Sequence, residues 1–455
     1  MKDQHVLCIF PYRTSELSGF LPPIGLEHIA AAIEDLVESI TIINMQFKDD
    51  ASSFIKDTTS LICVSINWED EKEEVCELIN QLPSNILTVI GGRYATINAE
   101  EFFAACPNID IIIRGDGEEI IRDIILGEPL EEITGISFRR DGKVIHNPNR
   151  LLDVVSNTIY PNRRLRRYTY RFKIADIELG YRIDLVSSSR GCPYSCKFCT
   201  FNMNPLGGKR NWSGRSAESV VKEIEEIEAE LVLFTDDNFI VDMDRAGAIF
   251  DLIKKRGIKK KFALQCRIEL ASRPDVLQKM QDVGVTVIMV GIESPHDWIL
   301  KQLDKRITQQ GIRDAFKVFN RFDRIVFQGF FIIGNIGETE EEMKYISAFA
   351  REIGLNIIVI SFLRYERFSH LKEIIDATNG YHIGQKGIIY SDRYPITKLY
   401  EIKKWIKNDF YSIHNRVKLA GKIIRIGGIN QQVVFPFIRG CFDRLIYSVK
   451  SNFAW

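Results

Sequence analysis

Three cysteines carry the strongest chemical signal in this chain. The run Ser189-Arg190-Gly191-Cys192-Pro193-Tyr194-Ser195-Cys196-Lys197-Phe198-Cys199 sets three thiols at CxxxCxxC spacing on one short loop after a strand-like segment. Thiolates so grouped suit zinc or an iron–sulfur centre. Structural zinc takes four ligands, and no fourth Cys or His with metal-type spacing stands nearby. A [4Fe–4S] cluster on three cysteines instead keeps one iron open to a small molecule, which is a catalytic arrangement. Further polar residues follow other apolar runs: Phe234-Thr235-Asp236-Asp237-Asn238-Phe239, Gln265-Cys266-Arg267, Val290-Gly291-Ile292-Glu293-Ser294 and Gly334-Asn335-Ile336-Gly337-Glu338-Thr339.

These residues need a scaffold that brings strand ends together. Residues 183–370 repeat strand-then-helix, with strand-like runs at Ile183–Ser188, Leu231–Phe234, Phe262–Gln265, Val285–Val290, Ile325–Ile333 and Ile357–Phe362. Amphipathic segments such as Glu218–Ala229, opened by Ser216 as an N-cap, and Arg313–Phe322 lie between them. Six such units predict a partial (β/α)6 barrel of the TIM type. The cysteine loop follows its first strand and so belongs to the face where active-site loops gather.

Residues 1–150 also alternate strand and helix. Val6–Phe10, Ile40–Ile43, Leu61–Ile66, Ile86–Ile90 and Ile109–Ile113 are apolar on both faces, which predicts a doubly wound α/β domain with a covered parallel sheet. Ligands of such sheets bind outside the strand C-termini. Three loops there are distinctive: Pro11 to Gly25, Gly91-Gly92-Arg93-Tyr94-Ala95-Thr96, and Arg114-Gly115-Asp116-Gly117-Glu118-Glu119. A hairpin pattern with Asp141-Gly142 at its turn closes the region. Residues 151–182 form a basic linker with interleaved aromatics, expected to lie as a solvated connector against its neighbours. Residues 371–455 read as a mostly helical, basic domain, with twelve Lys/Arg against four Asp/Glu from Ser391 onward. The segment Val433 to Trp455 mixes Phe435, Phe437, Phe442 and Leu445 with Arg439, Arg444 and Lys450, so peripheral contact with a membrane surface is conceivable. A helix packed on the barrel with a solvated basic face is the expectation.

The whole chain of 455 residues has Lys+Arg 60 against Asp+Glu 61, a net charge of -1. That balance argues against bulk electrostatic attraction to nucleic acid, and none is expected as a partner. No long uncharged apolar run predicts a membrane span, and the start lacks a secretory pattern. Nine cysteines, an odd number and mostly scattered, fit a reducing cytoplasmic setting rather than a disulfide framework.

The CxxxCxxC loop, with aromatic Phe198 before the third cysteine, resembles that of the radical S-adenosylmethionine (SAM) enzymes. The resemblance implies that Cys192, Cys196 and Cys199 hold a [4Fe–4S] cluster whose open iron binds the amino and carboxylate groups of SAM. It implies reductive cleavage of SAM to a 5′-deoxyadenosyl radical, with electrons from an external one-electron donor. It also places Asp236 against the methionine ammonium, Arg267 against its carboxylate, Glu293 near ribose hydroxyls, and Gly334 in a GxPGET-like loop where Ile336 replaces proline.

A doubly wound domain ahead of such a barrel resembles the cobalamin-binding subfamily. The matching residues are Pro23 and Gly25 in Pro22-Pro23-Ile24-Gly25-Leu26, Gly91 and Gly92, and Gly115, Gly117 and Glu118. Glycines suit a flat corrin ring that needs close backbone approach. No Asp-x-His-x-x-Gly offers a histidine to cobalt, as is usual for the subfamily. Arg93-Tyr94 replaces a common Pro-His, and Asn44 stands where Asp often ends the second strand. The resemblance covers about residues 5–370 and implies cobalamin-dependent methylation of an unactivated carbon. The alternatives are a radical cyclisation, rearrangement or oxidation, or, remotely, a non-catalytic iron–sulfur or corrinoid sensor. The substrate class stays open among small natural-product, lipid and tetrapyrrole-like molecules.

Overall fold

Continuous apolar runs become buried parallel strands in both halves of the chain. The computed structural model describes residues 4–13, 21–47, 50–150, 155–174, 177–200 and 207–427. They divide into two units, Met1–Tyr170 with Met203–Ser213, and Arg171–Asn202 with Gly214–Trp455.

The first unit holds a seven-stranded sheet in the order β2-β1-β3-β4-β5-β6-β7. Its strands are β1 (His5–Phe10), β2 (Ser39–Asn44), β3 (Thr59–Ser65), β4 (Leu87–Gly91), β5 (Ile111–Ile113), β6 (Ile136–Arg140) and β7 (Lys143–His146). The first five pair in parallel, and the β6–β7 hairpin joins the β5 edge antiparallel. Every residue of β1 is buried, because alternate side chains serve two cores. Cys8 and Phe10 pack with helices Ile24–Ile33 and Glu118–Leu126, while Leu7 and Ile9 pack with Lys72–Asn80 and Ala99–Ala105. The order reverses between β1 and β3, which opens a crevice at their C-terminal ends.

The second unit builds its barrel from β8 (Arg171–Ile174), β9 (Ile177–Val186), β12 (Leu231–Phe234), β13 (Lys261–Cys266), β14 (Val285–Glu293), β15 (Val326–Ile333) and β16 (Ile357–Phe362). Two two-residue strands, β10 (Ser189–Arg190) and β11 (Ser213–Gly214), intervene. The six strands from β9 to β16 lie side by side in chain order and in parallel, and β8 adds antiparallel to the β9 edge. The outward face of this half-barrel buries Val232, Phe234, Leu264, Ile288 and Ile360 under the helices.

Some expectations need correction. The first barrel strand starts at Ile177, six residues before the expected Ile183, because the antiparallel partner β8 extends it. Arg93-Tyr94-Ala95-Thr96 is not a loop but the short helix Arg93–Ile97. Gly92, at φ 101°, turns the chain there, and Thr96 Oγ1 donates to the Gly92 carbonyl at 2.8 Å. Among the described residues the third region is mostly helical. Helices Leu371–Asp376, Ile396–Phe410 and Ile413–Arg425 are accompanied by a hairpin of β17 (Tyr381–Ile383) and β18 (Ile389–Ser391). The segment Val433–Trp455 and part of the Pro11–Gly25 loop lie outside the described residues. The basic linker does lie against its neighbours in the first unit: buried Glu27 pairs with Arg166 at 2.6 Å, and Tyr168 stacks on Phe47 at 4.1 Å.

Candidate active site

The cysteine loop leaves the end of β9 through β10. Gly191, at φ 82°, supplies the left-handed turn that a side chain would resist. Two anchors then shape the loop. Cys199 N donates to the Cys196 carbonyl at 3.1 Å, and Lys197 N donates to the Leu303 carbonyl at 2.9 Å. Cys196 is buried, while Cys192 and Cys199 are half-buried. Burial pushes the Cys192 and Cys196 thiols up, and at Cys196 the cations of Lys305 and Arg267 pull the other way. Among the described residues, no group of three or more His, Cys, Asp or Glu is placed to hold a single metal ion. An iron–sulfur cube spreads its thiolates over separate irons, so its ligands need not converge on one point.

Charged side chains pack around this loop, and most are satisfied by one another. Arg267 is 5% exposed and lies over the Tyr194 ring at 3.9 Å. Its guanidinium donates to Glu269 at 3.0 Å and to the Lys305 carbonyl at 2.7 Å, and sits 3.9 Å from Cys196 Sγ. Glu293 follows a bulge in β14, at φ 69°, and its carboxylate meets Lys305 Nζ at 2.7 Å. Both groups are buried, a geometry that breaking either partner would leave with an uncompensated charge. A Cβ on Gly291 would lie 2.8 Å from both charged atoms, so the glycine makes room for the pair. Phe198 packs beside Ile299, Leu303 and Ile336, with the Lys305 ammonium 5.9 Å from its ring.

Asp236 is tied to the strand end before the cysteine loop. It is 1% exposed, and its carboxylate accepts from Ser188 N at 3.2 Å, from Ser188 Oγ at 2.7 Å and from Ser189 Oγ. Burial pushes its carboxyl up against those hydrogen bonds. It braces the strand end that launches the cysteine loop. The charge of the half-buried Asp237 adds to the upward push of burial on the Cys192 thiol, while that of Arg267 opposes it. Gly334, at φ 78°, ends β15 against Leu399, where a Cβ would come within 3.3 Å. Beyond it, Glu338 is fully buried, accepts from Asn335 N and Nδ2 at 3.0 Å, and leaves Oε1 without a partner. Burial pushes its pKa up to about 8. Lys305 was not singled out in the sequence, and Tyr194 and Glu338 entered only as members of their motifs. The only signal for Lys305 is its place in Leu303-Asp304-Lys305-Arg306, a loop in which Asp304 and Arg306 both adopt positive φ.

In the first unit the crevice is built from backbone and aromatic surface. Gly92 is obligatory, since a Cβ would lie 2.6 Å from the Ile66 carbonyl. At Gly117 a Cβ would press on Ile29 at 2.9 Å; at Gly91 it would make ordinary contact with Ile113. Gly115 turns at φ 103°, and its N–H donates to Thr96 Oγ1 at 3.3 Å. Pro23 is buried ahead of helix Ile24–Ile33, whereas Gly25 is exposed with nothing within 4 Å of where a Cβ would be. Glu118 opens the first turn of Glu118–Leu126, half-buried. Asn44 is buried at the end of β2 and donates to Tyr170 Oη at 3.1 Å.

Sequence reading also passed over an aromatic group at the switch point. Tyr12 is buried, its hydroxyl accepts from Asn67 N at 2.9 Å and Trp68 N at 2.8 Å, and it donates to the Trp68 carbonyl at 3.1 Å. Burial pushes its pKa up to about 12. Trp68 is thereby fixed just beyond β3, yet its side chain is 44% exposed.

Residues 186–350 match the Radical SAM superfamily, and residues 13–125 match the B12 binding domain. The barrel thus carries a radical SAM domain, and the first unit a B12 binding domain. The two domain families imply a [4Fe–4S] cluster and SAM in the barrel and cobalamin in the first unit. Among curated proteins, an uncharacterized methyltransferase of Pyrococcus horikoshii is 28% identical over 78% of this chain and 80% of its own. The hopanoid C-3 methylase of Methylococcus capsulatus is 23% identical over 67% of this chain and 60% of its own length. Among solved structures, the radical SAM methyltransferase TsrM of Kitasatospora setae, with cobalamin and a [4Fe–4S] cluster bound, has a similar fold. It superposes with a TM-score of 0.67 at 16% identity, over 87% of this chain and 80% of that one.

Proposed function

We propose that this radical SAM enzyme is a cobalamin-dependent methyltransferase acting on an unactivated carbon of a small organic substrate. The observation that carries the reading is the pairing, in one chain, of a three-cysteine loop on a half-barrel with a switch-point crevice of the B12 binding type. Curated relatives named as methyltransferases or methylases support it.

The donor set fits a cluster. Cys192, Cys196 and Cys199 would hold it, with Arg267 and Lys305 supplying positive charge beside Cys196 to favour thiolates. Phe198, Asp236, Arg267, Glu293 and Gly334 would border SAM, with Asp237 a further carboxylate near Cys192. The first unit fits a broad ligand in that Gly25 leaves open space and Trp68 stays exposed beyond β3. Pro23, Gly25, Gly91, Gly92, Gly115, Gly117 and Glu118 would border the corrin. When bound, these cofactors supply a substrate radical and a methyl donor; the protein binds, orients and excludes water. Electrons come from an external one-electron donor, and a cytoplasmic setting suits that supply. Among the described residues no helix is long and apolar enough to cross a membrane, and peripheral contact through the C-terminal region belongs to this proposal.

The test is anaerobic incubation with reductant, cobalamin, methyl-labelled SAM and candidate substrates. Labelled methyl in the product, in step with deoxyadenosine, is the expected result. Deoxyadenosine formed with a converted but unlabelled product would replace methyl transfer by cyclisation, rearrangement or oxidation.

A further inference from the structure

Helix Ile413–Arg425 contains no fully buried residue, yet it is not a solvated polar helix. Ile413, Val417 and Ile424 are 61%, 63% and 43% exposed. At about 100° per residue they fall within about 40° of one another and form one apolar stripe. His414, Lys418 and Arg425 follow along one side, and the helix has no acidic residue. A face meant only for water carries polar groups instead.

The helix sits at the N-terminal ends of the barrel strands, opposite the cysteine loop. Lys422 Nζ donates to Asn356 Oδ1 at 2.9 Å, just before β16, and the Ile426 carbonyl accepts from Lys261, at the start of β13, at 3.2 Å. Beside it opens a cleft of about 640 Å³ lined by Lys254, Lys259, Lys260, Lys261, Arg324 and Arg425. Its two acids are already engaged: Asp282 pairs with Lys254 at 3.3 Å, and Glu230 pairs with Arg182 at 2.9 Å. Lys260 and Lys261 donate to backbone carbonyls, and desolvation lowers the pKa of both. An anion in the cleft would offset that cost.

We propose that this end of the barrel docks on an anionic lipid bilayer, with Ile413, Val417 and Ile424 entering the acyl boundary and the lysine-lined cleft taking a lipid phosphate. An apolar stripe flanked by cations is the combination that binds such interfaces. The chain's own residues 428–455 do not complement the cleft, since they carry Arg439, Arg444 and Lys450 against Asp443 alone. The inference gives the membrane contact a face and a lipid class, and it is independent of the reaction in the barrel.

The experiment is co-sedimentation of the full chain, cluster-loaded and anaerobic, with vesicles of phosphatidylcholine alone or with about one third phosphatidylglycerol. At least tenfold stronger binding to the anionic vesicles is expected, weakened by high salt. The triple variant Ile413→Glu, Val417→Glu, Ile424→Glu should lose that binding with unchanged circular dichroism and cluster absorbance. Lys259→Glu with Arg324→Glu should remove the preference for phosphatidylglycerol. Equal binding to both vesicles, or none, overturns the proposal. Release by millimolar inorganic phosphate would make the cleft a site for soluble anions and also overturn it. A dimer dispersed by the triple variant would assign the stripe to a second copy. New proteolysis of residues 428–455 in that variant, without vesicle binding, would assign it to the chain's own tail.

Discussion

The two cofactor-type sites are built from different materials. Around the cysteine loop the work falls to side chains: Arg267, Glu269, Glu293 and Lys305 are buried or half-buried ions that hold one another. In the first unit it falls to backbone, where Gly92 and Gly115 adopt φ near +100° and Tyr12 fixes the turn that carries Trp68. A compact charged centre needs a fixed field, which neighbouring ions provide. A broad ligand needs close approach over a wide area, which requires side chains to be absent. The contrast teaches that damage should stay local: ion-pair variants should spare the crevice, and glycine variants should spare the cluster.

The largest effect should come from Cys192→Ala, Cys196→Ala or Cys199→Ala. Each is expected to abolish the cluster's absorbance and reductive SAM cleavage while cobalamin binding, read by its visible spectrum, persists. Lys305→Met comes next. It strands the Glu293 carboxylate in a buried site and should cost about 3–5 kcal/mol in denaturant unfolding. Lys305→Met with Glu293→Gln should recover most of that loss, and full additivity of the two losses would refute the coupling. Gly92→Ala should cost about 1–3 kcal/mol from its positive φ alone, and more from the clash with Ile66. It should weaken cobalamin binding and leave the cluster spectrum intact.

A fourth prediction concerns pH. The folded-state pKa of Glu338 is raised to about 8 from 4.5, so the folded state holds a proton that the unfolded chain has released. Stability is therefore greatest below about pH 4.5 as far as this group is concerned, falls as the pH rises, and is fully lost above about 8. Glu338→Gln should flatten that dependence, which melting temperatures at pH 6 and 8.5 would register. An unchanged slope would remove Glu338 as its source. The smallest effect belongs to Trp68→Ala. Loss of one aromatic face is worth about 0.5–1.5 kcal/mol, roughly two- to tenfold in cobalamin Kd.

Legibility in the sequence follows the same divide. The cysteine spacing could be read directly because ligand chemistry fixes it within one loop. The strands were readable because a parallel sheet covered on both faces demands unbroken apolar runs, as in Leu61–Ile66 and Ile109–Ile113. Asp236 and Asp237 could not be ranked by pattern alone; only burial among Ser188 and Ser189 makes Asp236 the brace. Lys305 was hidden because it reaches Glu293 through a turn with two non-glycine residues at positive φ, which composition does not announce. Helix Ile413–Arg425 was legible only as part of a basic helical region, and its exposed apolar stripe shows only in the structure.

The anchors of the cysteine loop bear on how the protein is matured. Lys197 N to the Leu303 carbonyl, Cys199 N to the Cys196 carbonyl, and the serine hydroxyls on Asp236 are all protein-to-protein bonds. They tie the loop to the turn at Leu303 and to the end of the second parallel barrel strand, away from the thiols themselves. A variant that loosens these bonds should therefore load iron and sulfide poorly although all three cysteines remain.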